Sequence, residues 1–491
     1  MKHTLALLAA LLLVPLAALS AAETEAARPN VLLIFADDLG YGDLSCYNAK
    51  SKVATPHIDR LAKQGMRFTD AHSSSGVCVP SRFSLMTGRH AFRMVGSALQ
   101  PTRPLVPEGC VTLPGLFAGA GYETSMIGKW HLGFEDLLKR PTEPLRGGPL
   151  DRGFRRFFGI PSSLDVEPYL FIDGDRIVAQ ATEGMPAHAS QGFSDDRMGE
   201  FWRAGKAAPG FRHADVFPEL TRRAVEELRR LSAAAPQRPF FFYYAMPAPH
   251  SPLLPVAEFR GKTTLGIYGD YLAQTDDAVG RVLRVLDETG VAQNTLVLLT
   301  SDNGPFWYPA DAQRTGHAAS GPWRGLKGDA WEGGHRVPFI ARWPGHVPTD
   351  ATSDATISLT DLLATAVALL GLPQEKTVSD GADFSPALRG RPWTRPEDRP
   401  LVARSSNGAS AIRVGPWKLI DQLGSGGFSK PQKEVPAANG PTVQLYDLST
   451  DPGETTNVAL REPGRADSLR EQLARLRNSV TPEPTPKSGL K

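Results

Sequence analysis

Three short and almost uninterrupted apolar segments, with a weaker fourth, constrain the fold of this chain more than any other feature of its sequence. The three cover Val31 to Phe35, Phe240 to Ala245 and Thr295 to Thr300, and the weaker one is Glu123 to Ile127. Runs of this length bounded by Gly, Pro or Asp are typical of strands buried on both faces, because a half-exposed strand alternates apolar and polar residues. Helical spacing of apolar residues lies between and after them, as in Val216 to Leu231 and in Leu362 to Leu370, where Thr360 is the expected cap and Gly371 the expected end. We therefore predict an α/β domain around a large mixed, mostly parallel sheet flanked by helices.

From about Val378 onward the sequence changes to Pro- and Gly-rich turns between short strand candidates. These candidates are Leu401 to Ala403, Ala411 to Val414, Trp417 to Ile420 and Val443 to Tyr446. They predict a smaller C-terminal subdomain with an antiparallel sheet over residues 378–491, after a main domain over residues 28–377. Within the main domain, Phe134 to Ala214 shows weak periodicity and many Pro, Gly and charged residues. Long irregular segments in compact domains tend to be functional loops, so this region is expected to recognise a ligand.

Residues 1–22 have the form of a secretory signal peptide. Lys2 and His3 precede an apolar run from Leu5 to Leu19, and the small residues Ser20 to Ala22 follow it. An uncleaved membrane anchor is the alternative, since the run is nearly long enough to span a bilayer. Pro15 interrupts the run and no basic cluster follows it, which favours cleavage. We expect an exported protein, periplasmic or extracellular, with no membrane attachment after signal cleavage.

The balance of charge and the number of cysteines exclude several classes of protein. The chain has 54 Lys+Arg against 52 Asp+Glu, a formal charge of +2. It therefore has no basic excess of the kind that drives binding to nucleic acid. Three cysteines are too few for a disulfide framework. Cys46, Cys78 and Cys110 allow at most one bridge with one thiol left over, and the sequence does not decide whether Cys46 and Cys110 pair or are both buried thiols.

Polar residues follow each of the four predicted buried strands. They are Asp37-Asp38, Lys129-Trp130-His131, His250 and Asp302-Asn303. Singly, each has an ordinary explanation as a turn former or structural histidine, but the carboxyl ends of parallel strands meet at one edge, where ligands bind. Three carboxylates and an amide carbonyl are hard oxygen donors that suit Ca²⁺ or Mg²⁺. A cation also explains how clustered carboxylates can coexist, since otherwise each would raise the pKa of the others.

The segment Gly76 to Gly88 is predicted to be a loop that enters a helix, with Pro80 in the first turn. Cys78 would lie at the helix N-terminus, where backbone N–H groups favour an anion, and Arg82 would lie one turn later on the same face. This arrangement would place a nucleophile beside an anion site. The alternatives are a buried structural cysteine and a thiolate phosphatase, although the Cys-x3-Arg spacing differs from the His-Cys-x5-Arg loop of those enzymes.

These motifs resemble those of the type I sulfatases of the alkaline-phosphatase superfamily. The segment Cys78-Val79-Pro80-Ser81-Arg82 is similar to the Cys-x-Pro-x-Arg signature of that family, and Gly121 to His131 is similar to its second signature. Gly325 to Gly328 with Trp331 to Gly334 forms a third matching block. The resemblance extends from Arg28 to the segment Asp451-Pro452-Gly453-Glu454, nearly the whole mature chain.

The resemblance implies an alkaline-phosphatase-like fold, a catalytic domain over residues 28–377 and a set of roles for the residues at the strand ends. Cys78 would be oxidised to formylglycine by a maturation enzyme, and the hydrated aldehyde would be the nucleophile. The implied Ca²⁺ ligands are Asp37, Asp38, Asp302, Asn303 and the modified Cys78. The other implied catalytic residues are Arg82, Lys129, His131, His250 and Lys327.

The expected function is hydrolysis of a sulfate ester on a small molecule or glycan, with release of inorganic sulfate. Trp307 and Trp323 flank Asp302 and Lys327 in the sequence and could stack on a sugar ring or be packing residues. Together with export, they favour a carbohydrate substrate. Two alternatives stay open: a phosphate ester or phosphonate hydrolase of the same superfamily, and a non-catalytic protein that binds sulfated glycans.

Overall fold

The computed structural model describes residues 28–95, 103–139, 141–373 and 379–479. The strands are β1 (Asn30–Asp37), β2 (Met66–Phe68), β3 (Ala71–His72), β4 (Glu123–Lys129), β5 (Arg156–Ile160), β6 (Ile172–Asp173), β7 (Arg176–Ile177), β8 (Glu183–Met185), β9 (Gly205–Ala207), β10 (Phe240–Pro249), β11 (Thr295–Ser301), β12 (Phe339–Arg342), β13 (Ala351–Ser353), β14 (Ile357–Ser358), β15 (Leu401–Arg404), β16 (Ser410–Val414), β17 (Trp417–Ile420) and β18 (Gln444–Asp447). The α-helices are α1 (Pro56–Lys63), α2 (Cys78–Thr87), α3 (Leu113–Gly119), α4 (His213–Ala234), α5 (Ile267–Glu288), α6 (Pro309–Thr315), α7 (Glu332–His335), α8 (Asp361–Leu369), α9 (Ser385–Leu388) and α10 (Pro463–Asn478). The predicted signal peptide, residues 1–22, lies outside the described residues.

A ten-stranded sheet in the order β13-β2-β12-β11-β1-β10-β4-β5-β6-β7 forms the centre of the molecule. Its five middle strands, β11, β1, β10, β4 and β5, are parallel, and antiparallel pairs occur toward both edges. The four strands predicted from apolar runs are β1, β4, β10 and β11, which are adjacent in the sheet. The prediction of a mixed, mostly parallel sheet is confirmed.

Helices cover both faces of this sheet, which explains the continuous apolar runs. In β1, Leu32 and Ile34 pack into the cluster that includes α1, α4 and α5. Leu33 and Phe35 point to the opposite face and pack into the cluster that includes α2, α3 and α8. Successive side chains of a strand alternate between faces, so both sets must be apolar when both faces are covered. Burying each large apolar side chain contributes about 1.5–3 kcal/mol.

The start of α8 differs from the sequence prediction. Thr360 precedes the helix but already has helical backbone angles, φ −59° and ψ −27°, and makes no capping bond with its side chain. A capping residue normally has extended backbone angles that direct its side chain to the free N–H groups. The Asp361 carboxylate instead accepts backbone N–H bonds from Ser358 and Ala382. Gly371 follows the helix end with φ +63°, as expected for a residue at that position.

The C-terminal strands β15 to β18 form a four-stranded antiparallel sheet, as predicted. Helix α10 packs on it through Ala466, Leu469 and Leu473. Backbone hydrogen bonds join β15 to the segment before α2, since Gly76 N donates to Arg404 O at 2.8 Å and Arg404 N donates to Ser74 O at 3.0 Å. The predicted boundary at residue 378 falls outside the described residues and stays a prediction.

Within the described segments, no helix combines the length and apolar character needed to cross a bilayer.

Candidate active site

The four predicted oxygen ligands meet at the carboxyl ends of β1 and β11, which are neighbouring parallel strands. Asp37 ends β1, and Asp38 follows it with φ +64°, a left-handed conformation that turns the chain sharply. The backbone N–H of Asp38 donates to Asp302 Oδ1 at 3.2 Å, and Asn303 Nδ2 donates to Asp38 Oδ1 at 2.7 Å. All four residues are buried. The structure therefore brings this predicted set together.

Two oxygen atoms in this cluster suit a bound cation. Asp37 Oδ1 and Asn303 Oδ1 are fully buried and accept no hydrogen bond from any described residue. A buried acceptor without a donor is costly, and a metal ion would satisfy both atoms. Carboxylate oxygens of Asp37 and Asp38 also lie within 4.8 Å of each other and of a ring nitrogen of His250. The oxygen-rich donor set fits Ca²⁺ or Mg²⁺.

Cys78 is the first residue of α2, as the sequence predicts. Val77 before it is extended, with φ −137° and ψ 153°, so the chain enters the helix at Cys78. The thiol is buried, with 7% of the residue exposed, and Sγ lies 3.5 Å from His131 Nδ1. Burial raises the pKa of the Cys78 thiol to about 11, against the opposing effect of nearby lysines. As an unmodified thiol this residue would stay protonated at neutral pH and would be a poor nucleophile.

Arg82 lies one turn after Cys78 and is almost fully buried, at 1% exposure. Its Nε and Nη2 both donate to Asp302 Oδ2, at 3.1 and 2.9 Å. Its Nη1 donates to the Lys129 carbonyl at 3.0 Å, and the guanidinium carbon is 5.2 Å from the ring centre of Phe35. Burial opposes the charge of Arg82, but the neighbouring carboxylates outweigh it and raise its pKa. Arg82 is therefore a fixed positive charge at the floor of the site.

Two lysines complete the set of buried cations. Lys129 Nζ donates to Asp37 Oδ2 at 2.5 Å, and Lys327 Nζ lies 2.8 Å from the Asp38 carboxylate. With Arg82, these lysines place three positive charges against the three carboxylates of Asp37, Asp38 and Asp302. The site is thus electrically balanced by its own side chains.

The two carboxylates bound by Arg82 and Lys129 differ in their affinity for protons. Burial raises the pKa of Asp302 to about 7, and the negative charge of Asp37 adds to this effect. Burial acts in the same direction on Asp37, but Lys129 and the other cations outweigh it and lower its pKa. Strong perturbation of neighbouring groups in opposite directions is typical of functional sites.

Both predicted histidines face Cys78 and the carboxylates. His131 follows β4 with φ +57°, and burial together with the positive charges of Lys129 and Arg82 lowers its pKa well below the usual value. It is therefore neutral and able to accept a proton. His250 Nδ1 lies 2.5 Å from the Ser251 carbonyl, which orients the ring so that Nε2 lies 3.8 Å from Asp38 Oδ2.

A pocket of about 220 Å³ opens above these groups. Its floor is formed by Cys78, His131, His250 and Lys327. The region from Phe134 to Ala214, predicted to recognise a ligand, supplies Ser163, Asp165, Val166, Arg197, Phe201 and Arg203. The remaining lining residues are Val77, Ser251, Phe306, Ser406 and Phe428. Arg82, Lys129 and the predicted oxygen ligands lie beneath this lining.

Sequence reasoning missed the walls of the pocket. Asp165 is buried, pairs with Arg203 and has its pKa lowered to about 2, because the charges of His250 and Arg203 outweigh the effect of burial. Ser406 and Phe428 come from the C-terminal part of the chain. No local motif marks these residues; only an excess of loop-forming residues between 134 and 214 pointed to part of the wall.

The two tryptophans considered as sugar platforms are packing residues and do not line the pocket. Trp307 is buried and donates from Nε1 to the His317 carbonyl at 2.9 Å, with its ring against Tyr268. Trp323 packs against the Arg336 guanidinium, whose carbon lies 3.8 Å from the ring centre. The aromatic residues of the pocket are instead phenylalanines.

A second buried cluster lies between the main sheet and the C-terminal sheet. His72, Glu332 and His335 could offer three metal ligands. The ammonium group of Lys418, from β17, is 2.9 Å from Glu332 Oε1 and 3.0 Å from His335 Nε2. It also lies 2.7 Å from Glu454 Oε1. Lys418 therefore supplies the positive charge that these ligands require, and the cluster is a buried ion-pair network.

Cys46 and Cys110 are not joined by a disulfide in the structure. Of the two possibilities that the sequence left open, the structure therefore has the unbridged one.

Comparisons with known proteins match most of the chain. A family model described as "Sulfatase" matches residues 29–372. An N-acetylgalactosamine-6-O-sulfatase of Bacteroides thetaiotaomicron is 33% identical, over 91% of this chain and 92% of that protein. Arylsulfatase A of Homo sapiens is 34% identical, over 94% of this chain and 89% of that protein.

Solved structures agree with these matches. One comes from work on the metabolism of glycosaminoglycans by Bacteroides thetaiotaomicron. It superimposes with a TM-score of 0.80 at 31% identity, over 92% of this chain and 100% of that chain. Another, solved in complex with k-i-k-neocarrahexaose, gives a TM-score of 0.70 at 25% identity, over 93% of this chain and 94% of that chain. These similarities confirm the fold class expected from the sequence.

Proposed function

The chain belongs to the sulfatase family and is a sulfuric ester hydrolase, and on this premise we propose that it acts on carbohydrate sulfates through a formylglycine derived from Cys78 and a bound Ca²⁺. The observation that carries the proposal is the position of Cys78. It begins a buried helix beneath an open pocket, beside three cations and a cluster of oxygen ligands. Its surroundings suppress thiolate formation, so a thiol could do little there, whereas an aldehyde hydrate would be well placed.

Ca²⁺ would be held by Asp37, Asp38, Asp302 and Asn303, with the modified Cys78 facing it. The two buried oxygens without a hydrogen-bond partner among the described residues support this assignment. When bound, the ion supplies positive charge that favours an ionised nucleophile and the oxygens of the sulfate group. The positive and negative side chains of the site already balance in number. The two positive charges of Ca²⁺ would therefore match one negative charge on the sulfate ester and one on the nucleophile.

The hydrated formylglycine supplies one hydroxyl for attack on sulfur and a second hydroxyl whose deprotonation releases sulfate without attack by an outside water. Arg82 would hold Asp302 and keep the floor of the site positive. Lys129 and Lys327 would exchange part of their contact with Asp37 and Asp38 for the sulfate oxygens. A lysine ammonium can do this because it binds an anion as a point charge from several directions.

Proton transfers are proposed for the two histidines. His131 Nδ1 faces the Cys78 side chain at 3.5 Å, and its lowered pKa keeps the ring neutral and able to accept the proton of the second hydroxyl. His250 and Lys327 line the pocket above the carboxylates. Either of them could protonate the leaving oxygen of the ester.

The carbohydrate substrate is supported by the relatives and by the pocket. The Bacteroides relative is named for an N-acetylgalactosamine sulfate. The pocket combines phenylalanine rings with the carboxylate of Asp165 and the guanidinium of Arg203. A sugar ring presents apolar C–H faces and a rim of hydroxyls, which suits walls of these two kinds.

The remaining expectations are proposed with the activity. A maturation enzyme would oxidise Cys78, and the predicted signal peptide at residues 1–22 would direct export to the periplasm or the cell exterior. The main domain over residues 28–377 would carry the catalytic groups, and the part over residues 378–491 would close one side of the pocket.

The proposal is tested by mass analysis together with activity. After expression with a maturation enzyme, the tryptic peptide from Phe68 to Arg82 should carry an aldehyde in place of the thiol. The protein should release sulfate from sulfated mono- or oligosaccharides and turn over an aryl sulfate faster than the matching aryl phosphate. Full activity of a Cys78→Ala variant would rule out the nucleophile, and faster turnover of the phosphate would favour a phosphate ester hydrolase.

A further inference from the structure

Asp329, two residues after Lys327, is a buried carboxylate that joins two distant segments. The residue has no exposed surface. Its Oδ1 accepts the backbone N–H groups of Phe428 and Ser429, at 2.8 and 3.0 Å. Its Oδ2 accepts the backbone N–H of Leu326 at 3.0 Å and the Ser429 hydroxyl at 2.5 Å. A single side chain therefore closes the turn around Lys327 and holds the C-terminal segment at Phe428.

The backbones of these segments approach so closely that only glycine fits. A Cβ atom on Gly427 would lie 2.2 Å from the carbonyl carbon of Gly328. Gly328 N donates to the carbonyl of Gly76, two residues before Cys78, at 2.7 Å, and Ser406 N donates to the carbonyl of Gly328 at 2.8 Å. The loop before the nucleophile, the lysine turn and the C-terminal segment are thus packed as one unit.

The two residues on either side of this contact both face the pocket. Lys327 contributes to its floor, and Phe428 contributes to its wall. The Phe428 ring packs edge-on against Phe306, with ring centres 5.4 Å apart. The Arg197 guanidinium carbon lies 5.3 Å from the centre of each ring. Without Asp329, the Phe428 backbone would lose an anchor and the wall would lose its fixed distance from Lys327.

We infer that Asp329 is a positioning residue for substrate binding: it holds the Phe428 wall of the C-terminal segment in register with the Lys327 turn, so that the pocket admits the ring of a carbohydrate sulfate above the reacting group. This inference rests on the proposed function. On this inference the C-terminal segment contributes to substrate binding, and the Asp329 side chain that holds it does not itself contact the substrate. Asp329 acts through Phe428, so changes at the two positions should have a shared effect on the Michaelis constant.

A double-mutant cycle on the matured enzyme tests the inference. Asp329→Ala and Phe428→Ala should each raise KM for a sulfated sugar about tenfold, which corresponds to a coupling of about 1.4 kcal/mol when the double variant is no worse than either single variant. Asp329→Asn retains one carboxyl-like acceptor and should restore part of the wild-type KM. It also serves as the cycle partner if the alanine variant fails to fold.

Asp361→Ala provides the matched control. Asp361 is equally buried and also accepts two backbone N–H bonds, from Ser358 and Ala382, but it does not line the pocket. This variant should lose stability and keep the wild-type KM. The inference is overturned if the effects of the Asp329 and Phe428 changes on KM multiply, or if Asp329→Ala leaves KM unchanged as the control does. Failure of the proposed function would show differently, as a wild-type protein that releases no sulfate from sugars.

Discussion

Replacement of Arg82 by lysine should keep the positive charge at the floor of the site but remove the hydrogen-bond geometry of the guanidinium group. Arg82 donates two N–H groups to Asp302 and one to the Lys129 carbonyl. A lysine keeps the charge but cannot reproduce the planar fork, so about two of these three bonds are lost. Hydrogen bonds to charged groups are worth about 1.5–3 kcal/mol each and neutral ones about 1 kcal/mol. We expect the free energy of unfolding to fall by about 3 kcal/mol.

Activity should fall further than stability alone requires. Arg82 sets the position of Asp302 beside Cys78, the proposed nucleophile, and loss of one preorganised electrostatic contact typically costs about 100-fold or more in rate. Urea denaturation followed by tryptophan fluorescence gives the stability, and kcat/KM for an aryl sulfate gives the activity, measured below the denaturation onset of the variant. Both quantities should fall together in Arg82→Lys.

Arg342→Lys is the matched control for this experiment. Arg342 is also a buried arginine, with 4% of its surface exposed, but it lies on β12, and its side-chain hydrogen bonds to the described residues Gln64 and Ala292 are long, at 3.3 and 3.4 Å. Its replacement should cost less than about 1 kcal/mol and leave kcat/KM unchanged. The reasoning fails if Arg82→Lys is as stable and as active as Arg342→Lys.

Three further predictions follow from other buried groups. Asn303→Ala removes a buried oxygen that accepts no hydrogen bond within the described part of the chain, so the Kd for Ca²⁺ from calorimetry should rise about tenfold or more; an unchanged Kd would exclude Asn303 as a ligand. Burial lowers the pKa of His213 from 6.5 to about 4. Between pH 6.5 and pH 4 the histidine is therefore protonated in the unfolded state but neutral in the folded state, so the free energy of unfolding falls as the pH drops through this range. Over that pH range, the free energy of unfolding of His213→Gln should fall by up to about 3 kcal/mol less than that of the wild type. Parallel curves of stability against pH for the two proteins would contradict this. Lys418→Met leaves Glu332 and Glu454 buried without their shared cation and should cost about 3–5 kcal/mol in thermal or urea unfolding, whereas the exposed Lys430→Met should cost almost nothing.

The sheet could be predicted because its strands are buried on both faces. The apolar segments of β1, β10 and β11 are continuous for that reason, whereas β4 begins with Glu123, Thr124 and Ser125 and gave a weaker signal. The four C-terminal strands were bounded by clear turn residues. The short strands β5 to β9 were not predicted, since they lie within a region of weak periodicity and are held by pairing with one another and with β4. The cap of α8 was assigned to Thr360 because residue preference does not reveal backbone angles: Thr360 already has helical angles and makes no capping bond with its side chain.

The sequence by itself determined which residues could carry the chemistry of this protein. Polar groups at the ends of buried parallel strands must collect at one edge of the sheet, so the residues that follow β1, β4, β10 and β11 were expected to lie close together, and the motif around Cys78 was expected to begin a helix. Lys327 follows none of these strands and was indicated only by the resemblance to the sulfatase family. Only the tertiary structure decided how these groups pair, which rings line the pocket and how the C-terminal segment completes it. Arg82 contacts Asp302 across 220 residues, and Asp329 holds Phe428 across 99. Such contacts depend on how distant segments pack, and no sequence pattern links those segments to each other. A buried carboxylate must have hydrogen-bond donors, but the local sequence does not specify which residues supply them.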